Sequence, residues 1–201
     1  MNRTRSSNRP VLENLEGRTH FAAAPQVVTA VLDAATSTVM VNGTRKADDI
    51  SVVVDAGNLQ VLSAGLPVAS FPLGGLLGMS VNALQGHDTV AVNAAVTLPV
   101  TLLGGNGKDN LTGGSGADSL DGGSGRDVLA GGAGNDVLLG GNSRDILDGG
   151  DGNDNLSGGR GKDEVTGGLG VDTFNGDNAA EILEKAEDEV IVPPVKKHGP
   201  K

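Results

Sequence analysis

Eight aspartates recur at intervals of nine residues: Asp109, Asp118, Asp127, Asp136, Asp145, Asp154, Asp163 and Asp172. Each follows two adjacent glycines, which stand five and four positions before it, and seven of the eight have another glycine two positions before. Carboxylates at a fixed period come close together once the repeats stack. Neighbouring strands lie ~4.8 Å apart, and unit charges at that distance repel by about a few kcal/mol in a partly screened setting. A divalent cation between them removes the repulsion, and hard oxygen ligands select Ca2+ over softer metals. The glycines add to the same chemistry, because a backbone free to take positive φ can turn its carbonyls toward an ion. Ion binding then offsets the conformational cost of ordering so much glycine.

The elements that must position these groups follow from the full repeat. Residues 104–175 divide without gaps into eight nonapeptides, GGNGKDNLT, GGSGADSLD, GGSGRDVLA, GGAGNDVLL, GGNSRDILD, GGDGNDNLS, GGRGKDEVT and GGLGVDTFN. Position 8 is always apolar: Leu111, Leu120, Leu129, Leu138, Leu147, Leu156, Val165 and Phe174. Position 4 is glycine except at Ser143, which must tolerate a conformation that glycine prefers. Positions 1–6 are expected to form a turn and positions 7–9 a strand of about three residues, ~10 Å long. The residue at 8 points inward. Two nonapeptides complete one coil, so odd repeats turn along one edge and even repeats along the other. Asp109 and Asp127 then line one edge, and Asp118 and Asp136 the other. Four turns per edge leave three gaps, which allows up to about six ions, each between repeats n and n+2.

This pattern resembles the RTX family, the hemolysin-type calcium-binding repeats, whose motif is Gly-Gly-x-Gly-x-Asp-apolar. The resemblance covers residues 104–175 closely and part of the preceding segment loosely. It implies an all-β fold, a parallel β-roll or β-helix solenoid of Gly-Asp-rich nonapeptides with disordered termini. It also implies that each ion takes the position-6 carboxylate with backbone carbonyls at positions 2 and 4. Carried onto this chain, those carbonyls belong to Gly105 and Gly107, Gly114 and Gly116, Gly123 and Gly125, Gly132 and Gly134, Gly150 and Gly152, and Gly159 and Gly161.

The rest of the chain divides into three segments. Residues 1–24 read as a disordered tail or an export signal. Leu12–Arg18, "LENLEGR", resembles the short Leu-Glu-x-Leu-Glu-x-Arg motif on many exported planctomycete proteins. Residues 25–103 alternate short β-branched runs with turns, such as Asp55-Ala56-Gly57-Asn58, and read as degenerate rungs of the same solenoid. Within them Gly86, Asp88 and Val90 fall in register with the repeat, and Asp48 and Ile50 echo it more faintly. Residues 176–201 read as an acidic capping segment, with a short helix capped by Asp177 or Asn178, and a basic tail.

Composition narrows the function. With no Tyr, no Trp and three Phe, the chain lacks the aromatics that dominate ordinary cores. A net charge of −10 disfavours nucleic acid and suits metal cations. The absence of cysteine excludes disulfides and thiolate sites. No apolar run approaches the ~20 residues of a membrane span. Asp151–Asn155 starts like an EF-hand loop, but Leu156 replaces its glycine and Lys162 its final glutamate. Gly107-Lys108 and Gly161-Lys162 are each followed by Asp, so neither is a phosphate loop. His20, His87 and His198 are scattered, with His87 expected at the surface of a degenerate turn. The expected protein is therefore a secreted, extracellular, non-enzymatic calcium-binding structural or interaction module, with its protein or polysaccharide partner undefined. The alternative is a calcium-binding accessory part of an RTX exoenzyme or cytotoxin.

Overall fold

The computed structural model describes residues 27–175 and the backbone of Ile182–Glu184 and Val190–Val192. An apolar side chain every nine positions, with a turn between, sends the chain alternately into one sheet and then the other. Residues eighteen apart therefore pair in parallel. In one sheet Leu102, Leu120, Leu138, Leu156 and Phe174 stack on successive strands. In the other, Ile50, Val90, Leu111, Leu129, Leu147 and Val165 do the same. These residues form one continuous core, with every position-8 leucine at most 1% exposed. Each such leucine contributes roughly 2 kcal/mol by leaving water, and no large aromatic is needed where identical aliphatic rungs interdigitate. All regular elements among the described residues are strands.

The strands are longer than the expected three residues. Val128–Ala133 and Ile146–Asp151, for instance, run six residues through positions 7–9 and on across the Gly-Gly of the next repeat. Their ladder resumes at Gly132↔Gly150. Position 1 is buried, and only a residue without a Cβ lets the backbone continue there at ladder distance.

Within 25–103, Thr38–Asn42, Asp49–Asp55, Gly78–Asn82, Thr89–Val92 and Val100–Gly107 pair in parallel and continue the two sheets. Three other strands are antiparallel and not rungs at all. Thr29–Asp33 lies on Thr38–Asn42, and Asn58–Ser63 and Leu66–Pro72 extend Asp49–Asp55 as a meander. Their two-residue turns, Ala56-Gly57 and Ala64-Gly65, have positive φ at both positions, the geometry that matches strand twist in tight hairpins. Pro67 and Pro72 in the outermost strand withhold donors from further pairing. The helix expected after residue 175 is not found at Ile182–Glu184 or Val190–Val192, which pair in parallel with Glu164–Leu169 and Thr173–Asn175. The N-terminal segment 1–24 and the basic end of the tail lie outside the described residues.

Candidate metal centre

The turn holds its aspartate by a repeated bond. The backbone N–H of Asp109 donates to Oδ1 of Asp127 at 2.8 Å, and Asp127 N–H donates likewise to Asp145, which donates to Asp163. On the opposite edge Asp118 donates to Asp136, Asp136 to Asp154, and Asp154 to Asp172. The odd and even aspartates thus form two columns, one per edge. The odd column reaches further than the eight repeats: Asp48 N–H donates to Asp88 Oδ1 and Asp88 N–H to Asp109 Oδ1.

Burial of these side chains is nearly complete. All eight repeat aspartates and Asp88 are at most 7% exposed. The second carboxylate oxygen, Oδ2, has no hydrogen-bond partner in Asp88, Asp109, Asp127, Asp136, Asp145, Asp154 and Asp172. Buried polar atoms without partners are rare, and here they occur in a row. Other oxygens crowd them. A Cβ placed on Gly104 would stand 2.6 Å from Asp109 Oδ2 and 2.8 Å from the carbonyl oxygen of Gly122. Every position-1 glycine is confined by its own aspartate in this way, so glycine there is a matter of space.

Positions 2 and 4 are governed by φ as well. Gly105, Gly107, Gly123, Gly125, Gly132, Gly134, Gly150, Gly152 and Gly159 all have φ between 88° and 149°. Carbonyls of one turn point at the α-carbons of the turn above: Gly107 at Gly125, Gly116 at Gly134, Gly134 at Gly152. Gly114, Gly116 and Gly161 lack the positive φ; the first two rest on the irregular Asn93–Pro99 turn, yet their carbonyls still face Gly132 and Gly134. Asp118 also differs from its neighbours, since its Oδ2 accepts from Gly114 N–H at 2.7 Å. Gly159 and Gly161 close the odd column among the described turns.

Sequence reasoning passed over Gly141, Gly168 and Gly170, which occupy the same positions with φ of 104° to 135°. The turn Leu84–Asp88, read from the sequence as in register but not counted among the ion ligands, stacks as the repeats do: Leu84 has φ 79° at position 2, and the carbonyls of Leu84 and Gly86 face Gly105 and Gly107. Gly86-x-Asp88-x-Val90 carries the register, while Ala83-Leu84 stands where the repeats have Gly-Gly. His87 is exposed there, and its Nδ1 accepts from Lys108 N–H.

Electrostatics agree with the geometry. Burial pushes the carboxyls of Asp88, Asp127 and Asp145 up to about 6 and that of Asp136 up to about 7, with neighbouring aspartates adding to the rise. Asp109, Asp118 and Asp154 are raised for the same first cause. Such groups hold a proton or face a cation. No group of three or more His, Cys, Asp or Glu side chains converges among the described residues. An ion between turns would therefore draw most of its ligands from backbone carbonyls, and that donor set suits Ca2+.

Ser143 takes φ 91° at position 4, and its carbonyl still points at Gly161 as the glycine carbonyls do. The departure therefore strains the backbone but keeps the oxygen in place. Ser143→Gly should stabilise the calcium-loaded protein by about 1 kcal/mol. Denaturant unfolding checks this, and an unchanged or lower midpoint contradicts it.

Two parallel sheets joined by turns that stack carboxylates and carbonyls into columns define a metal-binding β-roll. Residues 103–138, 121–156 and 139–174 each match the family model of the RTX calcium-binding nonapeptide repeat in four copies, and the matches start eighteen residues apart, one full coil. This segment is an RTX-type parallel β-roll, and such repeats bind calcium. No curated protein and no solved structure matches the chain.

Proposed function

We propose that this chain is a secreted, non-enzymatic structural or interaction module of a cell surface or matrix, whose β-roll orders as Ca2+ fills the gaps between turns. The observation that carries the reading is the row of buried, partnerless Oδ2 oxygens of Asp88, Asp109, Asp127 and Asp145 on one edge and Asp136, Asp154 and Asp172 on the other, within turns whose backbone carbonyls crowd the same space. Within the eight repeats, each ion would sit between repeats n and n+2. It would be held by Asp127, Asp145 or Asp163 on the odd edge, or by Asp136, Asp154 or Asp172 on the even one. The position-2 and position-4 carbonyls of the turn below would complete it, Gly105 and Gly107 beneath Asp127 for example.

That arrangement gives about six ions, and the Leu84–Asp88 turn beneath Asp109 adds one more. Extracellular modules bind Ca2+ at ~10⁻⁴–10⁻³ M. A chain of that affinity stays unfolded in a low-calcium cytoplasm and orders outside it, which supports the secreted reading together with the motif at Leu12–Arg18. A core filled by aliphatic rungs, with every buried aspartate among the described residues committed to the columns, supports a non-enzymatic role. Equilibrium dialysis should count about six or seven Ca2+ per chain, with Mg2+ leaving most sites empty. Two ions or fewer, or equal retention of Mg2+, would overturn the reading.

A further inference from the structure

Position 5 of the nonapeptide carries a charge that is sorted between the edges. In odd repeats it is Lys108, Arg126, Arg144 and Lys162; in even repeats it is Ala117, Asn135, Asn153 and Val171. All eight are exposed. The register Asn110↔Val128, Val128↔Ile146 and Ile146↔Glu164 sets the four cations on successive rungs of one edge, ~4.8 Å apart. One rung further down, His87 holds the equivalent place and bonds the backbone of Lys108.

The buried aspartates do not account for this ladder. The even edge stacks Asp118, Asp136, Asp154 and Asp172 just as tightly with no cation at position 5. Internal pairing does not account for it either. Arg144 approaches Glu164 at 3.7 Å with both side chains about half exposed, an arrangement worth little in water. Lys108 and Arg126 have no ion-pair partner among the described residues. The surface between Lys108, Arg126 and Arg144 dips into a hollow of about 200 Å3, lined also by Val128 and Ile146, each 41% exposed, and by the buried Asp127. A protein of net charge −10 thus keeps a straight row of cations beside a small aliphatic hollow.

We propose that this edge docks a linear acidic polysaccharide, with its anionic groups along the ladder and the apolar face of a sugar ring over Val128 and Ile146. The spacing of one cation per rung is of the order of one sugar residue. The inference rests on the calcium-folded reading above, since the cations align only when the rungs stack. Single-stranded nucleic acid fits less well, because such sites stack bases on aromatic side chains, and this chain has no Tyr or Trp and buries Phe174. A duplex would meet the chain's overall negative charge.

The test uses the full chain in saturating Ca2+, with circular dichroism to confirm folding and titration calorimetry to measure binding. The probes are chondroitin sulfate, neutral dextran, a single-stranded oligothymidylate and phosphatidylserine vesicles. Chondroitin sulfate should bind in preference to the other three and weaken as salt rises. Changing Lys108→Gln, Arg126→Gln, Arg144→Gln and Lys162→Gln together should cut binding roughly tenfold or more, with the calcium-dependent folding signal retained. A charge-matched variant with Arg3→Gln, Arg5→Gln, Arg9→Gln and Arg18→Gln should bind as the parent does. Equal loss in both variants, or preference for the oligonucleotide, the vesicles or dextran, would overturn the proposal. A chain that folds with Ca2+ but ignores chondroitin sulfate sinks this inference alone, whereas one that does not fold removes the reading beneath it.

Discussion

Stripped of calcium at pH 7.5, the full chain should lose most of its β-sheet signal in circular dichroism and regain it as Ca2+ is titrated back. EGTA should reverse the change, and Mg2+ at the same concentration should restore little of it. The expectation follows from what the repeats contain. Their core consists of one aliphatic side chain per nine residues, while the glycines lose more conformational freedom on folding than any other residue. Seven buried carboxylate oxygens without partners oppose the fold further. Metal binding and folding are then a single event. A chain that stays β-rich after exhaustive chelation at this pH would contradict the account.

Protons should partly replace the ions. The carboxyls of Asp88, Asp127 and Asp145 are pushed up to about 6 and that of Asp136 to about 7, mainly by burial. In the unfolded chain an aspartate titrates near ~3.9. Between about pH 4 and pH 7 the folded state therefore holds more protons than the unfolded one, and metal-free stability rises as pH falls. The contribution is complete below about pH 4 and is lost as pH rises through 6 and 7. In EGTA the chain should be more ordered at pH 5 than at pH 7.5. The calcium midpoint should move the other way, to concentrations roughly tenfold higher at pH 5.5 than at pH 7.5, because protons compete for the same oxygens. Chelated samples that lose sheet on acidification would show that the columns do not control the fold.

Gly125→Ala should abolish the stable β-roll around the third repeat, at a cost above about 4 kcal/mol. Gly125 has φ 149°, and a Cβ there would fall on the carbonyl oxygen of Gly107 in the turn below. Backbone cannot move aside as a flexible side chain can, so the rungs would have to separate. Gly57→Ala is the matching control: its φ is 79°, but nothing lies within 4 Å of the added carbon. That change should cost only about 1 kcal/mol, from backbone strain alone. Unfolding midpoints in saturating Ca2+ separate the two contributions, and equal losses would show that close stacking does not govern position 4.

Much of the architecture was legible in the nonapeptide. A leucine every nine residues meant two sheets with residues eighteen apart in register, and Leu111 over Leu129 over Leu147 is that register. Other features were hidden because the residues concerned are permissive alone. Glycine at position 1 reads as flexible, and only the stacked turn shows that Asp109 and the Gly122 carbonyl leave no room for a Cβ. The runs around Ala56-Gly57 and Ala64-Gly65 read as strand and turn, but whether such strands pair parallel or antiparallel depends on the chain that precedes them. The acidic stretch after residue 175 has helical composition, yet Ile182–Glu184 and Val190–Val192 meet open strand edges, and unpaired backbone donors outweigh a weak local preference.

The sequence by itself determined the period, and with it the inward leucines, the recurring carboxylates and the kind of ion they suit, because a strict repeat leaves a stacked chain few ways to bury its apolar residues. Only the tertiary structure decided that position 1 leaves no room for a Cβ, that antiparallel strands flank the parallel rungs, and that backbone-to-carboxylate bonds carry the odd column on through Asp88 to Asp48. The reason is physical. Charges, carbonyls and glycines interact across rungs that are eighteen or more residues apart in the chain and less than 5 Å apart in space.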